Sequence, residues 1–403
     1  MENNRLIDLA KKYQTPLYVY DANKIIDKYN LFKNSFNVDD LKIHYAVKAL
    51  SNINILKLFK KLGAELDCVS VEEIKLGLLA GFNPQNIIFT PSGVSFQEYE
   101  EAIEIGTKIT IDNISILEKI GHKYNDYPVF IRVNPHLMAG GNSKISVGHI
   151  DSKFGISIHQ MPIVHRIVKK YNIKVEGIHV HTGSDIIDAD IFDRVAQLIF
   201  SIADEFEDIE SIDFGSGFKV KYKENDLYTE IESLGSQFSK AFNNYSKQRN
   251  KKLCLRFEPG KFLVSEAGNF LVSVNAIKQT TSCTFAAVNS GFNHFVRPMF
   301  YNAYHEIENI SNPNGHKKMY SIVGYICESD TFAEDRILNE VRENDILKFE
   351  NAGAYCFTMA SNYNSRVQAA ELMIFDNKDY LIRKRQNFEQ LLINQTEIDF
   401  NKL

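Results

Sequence analysis

Long apolar runs are absent from this chain of 403 residues, and no stretch is suited to crossing a membrane as a helix. The opening Met1-Glu2-Asn3-Asn4-Arg5 lacks the apolar core of a signal peptide, so a cytoplasmic location is expected. Cysteine is sparse: the five residues Cys68, Cys254, Cys283, Cys327 and Cys356 contain no CxxC pair. An odd, scattered set fits a reducing compartment and argues against a disulfide framework or a structural zinc site, and no metal is expected. Positive charge is not in excess either. The formal net charge is -5, and the one dense basic triplet, Arg383-Lys384-Arg385, suits a solvated turn or a salt-bridged end better than a nucleic-acid surface. Low-complexity segments and short repeats are missing too. What remains is an ordinary globular composition, 44% hydrophobic and 24% charged, with length for two domains, one of them a large barrel.

From Asp21 to about residue 265, helical and strand patterns alternate. Strand-like runs are Lys42–Val47, Ala64–Ser70, Asn86–Thr90, Lys108–Asp112, Val129–Asn134, Val175–Thr182, Ser211–Phe214 and Leu253–Glu258. Amphipathic stretches such as Ile53–Leu62, Val71–Ala80, Ile158–Lys170, Ile187–Asp204 and Leu227–Tyr245 separate them. Eight β/α units predict a parallel (β/α)8 barrel over 22–265, close to the roughly 250 residues such barrels need. Beyond it, Val272–Ile277, Phe285–Val288, Met319–Val323, Ile346–Glu350 and Glu371–Phe375 read as strands divided by turns. They predict a second, mostly β domain, a Greek-key or sandwich-like barrel. The strand-like Leu17–Tyr20 is expected to join it, so that 1–21 and 266–403 form one domain with the barrel inserted between.

Barrel enzymes carry their chemistry at the carboxyl ends of the strands, and the unusual residues of this chain fall there. Lys48 follows His44-Tyr45-Ala46-Val47, where His44, Ala46 and Lys48 share a face. Alone, a lysine in a loop is usually just solvated. The other strand ends change that reading: Asp67-Cys68-Val69-Ser70, Arg132 with Asn134, His179-Val180-His181-Thr182-Gly183-Ser184, Gly215-Ser216-Gly217, and Glu258-Pro259-Gly260-Lys261. Each has a plain alternative as a core histidine, a turn or a helix cap, but their shared register makes the plain alternatives poor for all of them together.

Lysine makes Schiff bases with carbonyl cofactors such as pyridoxal phosphate. A site for that cofactor needs a lysine for the aldehyde and glycine-rich backbone for the phosphate. It also needs a flat side chain for the ring and an acid for the pyridine nitrogen. Lys48 fits the first need. Gly215, Ser216, Gly217 and Gly260, with Ser184 as a side-chain donor, fit the second. His181 and Glu258 fit the third and fourth.

These residues resemble the fold type III pyridoxal phosphate enzymes, whose fold is shared with alanine racemase, and above all the diaminopimelate decarboxylase family. Tyr45-Ala46-Val47-Lys48-Ala49, His181-Thr182-Gly183-Ser184, Glu258-Pro259-Gly260 and Cys327-Glu328-Ser329 carry the likeness. Arg297-Pro298-Met299-Phe300-Tyr301, Gly353-Ala354-Tyr355 and Ser361-Asn362-Tyr363-Asn364 extend it over about 15–390. The glycine- and histidine-bearing run that follows the lysine in alanine racemase is replaced here by Leu50-Ser51-Asn52.

The resemblance implies decarboxylation of meso-2,6-diaminopimelate to L-lysine by a cytoplasmic homodimer, with no nucleic-acid or membrane partner. It implies that Lys48 anchors pyridoxal phosphate, His181 stacks on its ring and Glu258 holds the ring nitrogen. Ser184, the Gly215–Gly217 loop and Tyr355 take the phosphate end, and Arg297 and Tyr301 grip a substrate carboxylate. Cys327, as proton donor, and Glu328, on the distal ammonium, come from the second subunit. Tyr355 also borders the substrate. The chain departs from the family pattern at Lys261, where arginine is usual; an ammonium is a point charge and lacks the guanidinium's paired donors. Arg256 is a possible compensation, or else a core partner of Glu258 or Asp213. Ser216 replaces the middle glycine of a triple-glycine loop, Tyr325 stands where proline is common, and Val367-Gln368 where Pro-Arg is common. The alternatives are decarboxylation of another amine, namely carboxynorspermidine, ornithine or arginine, or a non-catalytic homologue. The segment Met138–Lys153 reads as a lid or as a surface excursion.

Overall fold

The computed structural model describes residues 1–137, 152–181, 183 and 189–402. The chain divides into two compact units, 25–264 and 1–24 with 265–403.

The first unit is a closed parallel barrel. Its eight strands are Leu41–Ala46, Glu65–Cys68, Ile87–Phe89, Lys108–Ile111, Val129–Asn134, Val175–Val180, Ser211–Asp213 and Cys254–Phe257, taken below as first to eighth. The eighth pairs with the first, Phe257 opposite Ile43, and closes the ring. A two-residue strand, Ile156–Ser157, adds to the fifth. The pleat sends alternate residues to opposite faces. Outward residues such as Ile43, Tyr45, Leu66, Ile131 and Ile212 are buried under the helices. Phenylalanine forms much of the layer outside the last two strands. Phe36 lies 4.6 Å from Phe257, and Phe238 lies 4.8 Å from Phe214 and 5.0 Å from Phe192. Such aromatic contacts contribute about 0.5–1.5 kcal/mol each beyond area burial.

The inward face is different. Barrel interiors are usually filled by branched apolar side chains, whereas here His44, Glu65, Asp67, Thr110, Arg132, His179, Asp213, Arg256 and Glu258 are all buried. Buried charge is tolerable only when paired, so this interior has to be an ion-pair network.

The second unit is a nine-stranded mixed sheet. Leu17–Asp21 lies between Gly268–Gln279, antiparallel, and Ala370–Phe375, parallel. Leu6, Leu9 and Ala10, one stripe of the helix Asn3–Tyr13, pack on Leu17, Val19, Leu271, Leu372 and Ile374. The strands Ile307–Asn309, Thr331–Asn339 and Lys378–Arg383 have no counterpart in the sequence pattern. Thr331–Asn339 buries only Phe332, Ala333 and Leu338, and Lys378–Arg383 buries none of its residues. Arg383 of the basic triplet reaches the buried carboxylate of Glu371, and Arg385 donates to the carbonyls of Gln14 and Pro16.

Candidate active site

Lys48 does not continue the first strand. The strand stops at Ala46, and Val47–Ala49 make one tight helical turn. Tyr45 pins this turn from the outside: its ring stacks on Phe59 at 3.9 Å, and its hydroxyl donates to the Leu50 carbonyl at 3.0 Å. Asn52 then caps the helix Ile53–Leu62, accepting the Asn54 N–H at 3.0 Å. With the backbone held, the Lys48 side chain stands at the barrel mouth, 41% exposed, its Nζ 2.7 Å from Asp67 Oδ2. Asp67, from the second strand, is wholly buried, and its other oxygen accepts the Thr90 hydroxyl. Just beyond, Ser70 caps the helix Val71–Leu79 and the Glu73 carboxylate accepts the Val69 N–H at 2.8 Å. Burial pushes the Glu73 carboxyl up to about 7, against the opposing pull of that N–H and of Lys48.

Across the mouth, the seventh strand turns sharply after Asp213. Gly215 has φ +60°, and a Cβ there would lie 2.6 Å from His181 Nδ1 and 2.9 Å from the Val180 carbonyl, so only glycine fits. Ser216 N–H donates to His181 Nδ1 at 3.1 Å. Accepting at Nδ1 puts the proton of a neutral imidazole on Nε2. Burial and the nearby charges of Arg132 and Lys48 hold His181 well below the usual histidine range, so it is neutral.

Glu258 follows the eighth strand, its backbone N–H bonded to the Gly215 carbonyl at 2.6 Å. Its Oε2 lies 3.1 Å from His179 Nε2, while Oε1 is buried without a partner. Gly260 packs so closely that a Cβ would lie 2.9 Å from Ala49 Cβ and 3.0 Å from Ala46 Cβ. The exits of the first and eighth strands are thereby held together. Lys261 opens the short helix Lys261–Val264 and is half-buried.

Below lies the network. Arg256 turns away from Glu258 and Asp213. Its Nε donates to Ser211 Oγ at 2.9 Å, and its Nη1 reaches His44 Nε2 at 2.9 Å and Glu65 Oε2 at 3.2 Å. Arg256 is therefore a core partner of Glu65, not a substitute for the missing arginine at position 261. Burial would push the Glu65 carboxyl up, but His44, Arg256 and Lys42 outweigh it and hold it at about 2. His44 is opposed by burial, yet its contacts with Asp213 and Glu65 outweigh both burial and the repulsion of Arg256 and raise its pKa. Asp213 is likewise held low despite burial, by His44, His179 and the Gly215 N–H.

In the sheet unit, Arg297 is buried and its Nε lies 3.3 Å from His305 Nε2, with the guanidinium 5.8 Å from the Tyr301 ring centroid. Burial first, and then Arg297, push His305 down to about 3, leaving a neutral ring that bonds the Glu350 carbonyl at 2.8 Å through Nδ1. Cys327 and Glu328 sit exposed on a turn tied by Asp330, which accepts the N–H groups of Phe292 at 2.8 Å and Ile326 at 3.0 Å. Asn364 Nδ2 donates to Cys327 Sγ at 3.3 Å, and the Tyr363 hydroxyl bonds Glu328. Tyr355 takes a left-handed backbone, φ +57°. Ser184 and residues 138–151 of the Met138–Lys153 segment lie outside the described residues.

Residues 22–265 match the family model of the pyridoxal-dependent decarboxylases, pyridoxal binding domain. Diaminopimelate decarboxylases match almost end to end. That of Methanothermobacter thermautotrophicus is 33% identical, covering 96% of this chain and 93% of its own length. That of Vibrio cholerae is 34% identical, covering 96% and 94%. The crystal structure of the Helicobacter pylori diaminopimelate decarboxylase complexed with L-lysine superposes with a TM-score of 0.88 at 31% identity, covering 96% of this chain and 98% of that one. This chain belongs to the diaminopimelate decarboxylase family of pyridoxal-dependent decarboxylases.

The barrel of this decarboxylase fits pyridoxal phosphate. The unpartnered Glu258 Oε1 is a buried acceptor of the kind a ring N–H satisfies, at the same barrel mouth as the Lys48 amine. In the barrel, Glu65, Thr90 and His44 were given no role from sequence, and in the sheet unit neither was Asn364, which lies beside Cys327. For the barrel residues the signal was present. Glu65 and Asp67 alternate on one strand face, as His44 and Ala46 do. For Asn364 the signal was the Ser361-Asn362-Tyr363-Asn364 run, which marks a place but no role.

Proposed function

We propose that this protein removes carbon dioxide from meso-2,6-diaminopimelate and releases L-lysine, the last step of lysine biosynthesis. The observation that carries the reading is the buried, unpartnered Glu258 Oε1 at the same barrel mouth as Lys48. It stands in a chain matched over its length by diaminopimelate decarboxylases.

Bound pyridoxal phosphate supplies an aldehyde that condenses with amines and a pyridinium ring that draws electrons from the carbon losing its carboxylate. Lys48 is the residue that holds it, and Asp67 orients the Lys48 amine. Glu258 accepts the ring N–H and keeps it protonated. His181, neutral and fixed in one tautomer by Ser216, would meet the ring without adding charge beside it. Gly215, Ser216, Gly217 and Gly260, with Ser184 and Tyr355, take the phosphate.

Arg297 and Tyr301 bind the carboxylate that is retained, with Lys261 and Tyr355 on the substrate side. Cys327 donates the proton that takes the place of the lost carboxylate, and Glu328 binds the distal ammonium. Both are exposed in the single chain, which suits a homodimer in which they serve the partner's barrel. Among the described residues no helix is long and apolar enough to cross a membrane, which accords with a cytoplasmic enzyme.

The test is a substrate panel. The protein with pyridoxal phosphate is incubated separately with meso-diaminopimelate, ornithine, arginine and carboxynorspermidine, and products are read by mass spectrometry. L-lysine from the first and little product from the others is expected. A preference for any of the other three would overturn the assignment.

A further inference from the structure

Inside the barrel, His44 lies between two carboxylates. Its Nε2 lies 2.8 Å from Glu65 Oε2 and its Nδ1 3.6 Å from Asp213 Oδ2. Asp213 divides its two oxygens. Oδ1 accepts the Gly215 N–H at 2.8 Å, and Oδ2 is buried with no hydrogen-bond partner other than the near approach of His44. Glu258 joins the cluster: one ring nitrogen or carboxylate oxygen from each of His44, Asp213 and Glu258 lies within 4.8 Å of the others.

The charge count gives His44 a task. Glu65 and Asp213 are two buried carboxylates, and Arg256 supplies one buried positive charge against them, bonded to Glu65 and Ser211. Its Nη1 is also 2.9 Å from His44 Nε2, and with a proton on that nitrogen the two cations share Glu65 Oε2, whose charge offsets their repulsion. Lys42 reaches the far oxygen of Glu65 at 3.4 Å, but it is 43% exposed and lies away from Asp213 along the first strand. His179 also neighbours Asp213, but its Nε2 lies 3.1 Å from Glu258. A proton on His44 sets a positive charge 3.6 Å from the buried Asp213 Oδ2, and a buried anion without such a neighbour is costly. From Asp213 the connection runs on to the functional residues. Its Oδ1 holds Gly215, the Gly215 carbonyl accepts the Glu258 N–H, and the next residue, Ser216, holds His181.

We propose that His44 is a positioning residue: as an imidazolium between Glu65 and Asp213 it holds Asp213 ionised and turned to Gly215, and so keeps the Gly215–Ser216 turn, His181 and Glu258 set to receive pyridoxal phosphate. This rests on the functional reading above, in which those three elements hold that cofactor. His44 touches neither cofactor nor substrate in this account.

The titratable and charged groups facing His44 and its partners are Lys42 on the first strand, Glu65 on the second, Arg132 on the fifth and His179 on the sixth. Asp213 lies on the seventh, Arg256, Cys254 and Glu258 on the eighth, and Tyr29 faces Glu65 from the helix before the first strand. The test is the dissociation constant of pyridoxal phosphate from the full-length apoprotein, followed by cofactor absorbance from pH 6 to 9, for parent, His44→Gln, Asp213→Asn and the double variant. Melting of each variant is followed by circular dichroism.

His44→Gln and Asp213→Asn should each weaken binding about tenfold, the scale of one charge-assisted hydrogen bond. The double variant should lose no more than Asp213→Asn alone, because one acts through the other. Parent affinity should fall as pH rises through the folded-state pKa of His44, and that step should vanish in His44→Gln. A His44→Gln variant with parental affinity and pH profile overturns the proposal, as do losses that multiply in the double variant. Should His44→Gln fail to fold, Glu65→Gln serves. Removing one of the two anions should move the alkaline step to lower pH, and an unmoved step overturns the proposal. A parent protein that binds no pyridoxal phosphate refutes the functional reading itself, an outcome distinct from a parent that binds it with indifference to His44.

Discussion

Lys48 Nζ and Asp67 Oδ2 are 2.7 Å apart, the first at the open barrel mouth and the second on a wholly buried carboxylate. The pairing gives a flexible side chain a fixed direction, because Asp67 is itself locked by the Thr90 hydroxyl. Asp67→Asn keeps the shape and removes the charge. Turnover should fall roughly ten- to a hundredfold, the worth of a charge-assisted hydrogen bond. Steady-state kinetics against the parent checks this; an unchanged kcat would show that Lys48 needs no such guide.

Gly215 stands where an added Cβ has no room and the backbone is left-handed. Gly215→Ala should cost about 1–2 kcal/mol of stability from the backbone alone and push the turn off His181. Cofactor affinity should drop by more than the melting temperature suggests. Calorimetry and cofactor titration read the two effects separately. Full cofactor affinity would mean that the turn does not hold the phosphate.

Glu65 ties acid stability to the barrel interior. Its folded-state value of about 2 lies below its ordinary value of 4.5. The stabilisation it gives is therefore present above pH 4.5 and is lost as pH falls through about 2. At neutral pH this is on the order of 3 kcal/mol. Urea unfolding of Glu65→Gln should show a deficit of that order at pH 7 that shrinks steadily as pH falls below 4.5. A deficit independent of pH would place the effect in packing rather than charge.

Cys327 and Glu328 are exposed in the single chain, on a turn that Asp330 ties and Asn364 touches. If they serve a partner's barrel, Lys48→Ala and Cys327→Ala proteins, each inactive, should regain up to about a quarter of parental activity on mixing, by random reassortment into hybrid dimers. Subunit exchange without recovered activity would put both residues to work in their own chain.

Much of the barrel is legible in the sequence because its signals are local. The eight strand-like runs from Lys42–Val47 to Leu253–Glu258 coincide with the observed strands to within a few residues. The first strand ends early because Tyr45 and Asn52 pin the turn that carries Lys48. What was not legible is pairing between strands. Arg256 shares a face with Glu258 and neighbours Asp213, yet it bonds Glu65 and Ser211, and that choice depends on which side chains meet across the barrel. The strands Thr331–Asn339 and Lys378–Arg383 were hidden for another reason: the first buries Phe332, Ala333 and Leu338 out of step and the second buries no residue, so alternation does not mark them.

The most direct test of the account is to load the protein with pyridoxal phosphate, reduce it with borohydride, digest it and find the pyridoxyl group by peptide mass spectrometry. One modified residue, Lys48, is expected, and a Lys48→Ala protein should carry no pyridoxyl group and make no L-lysine from meso-diaminopimelate. A pyridoxyl group on another lysine, or lysine production that survives Lys48→Ala, would contradict it.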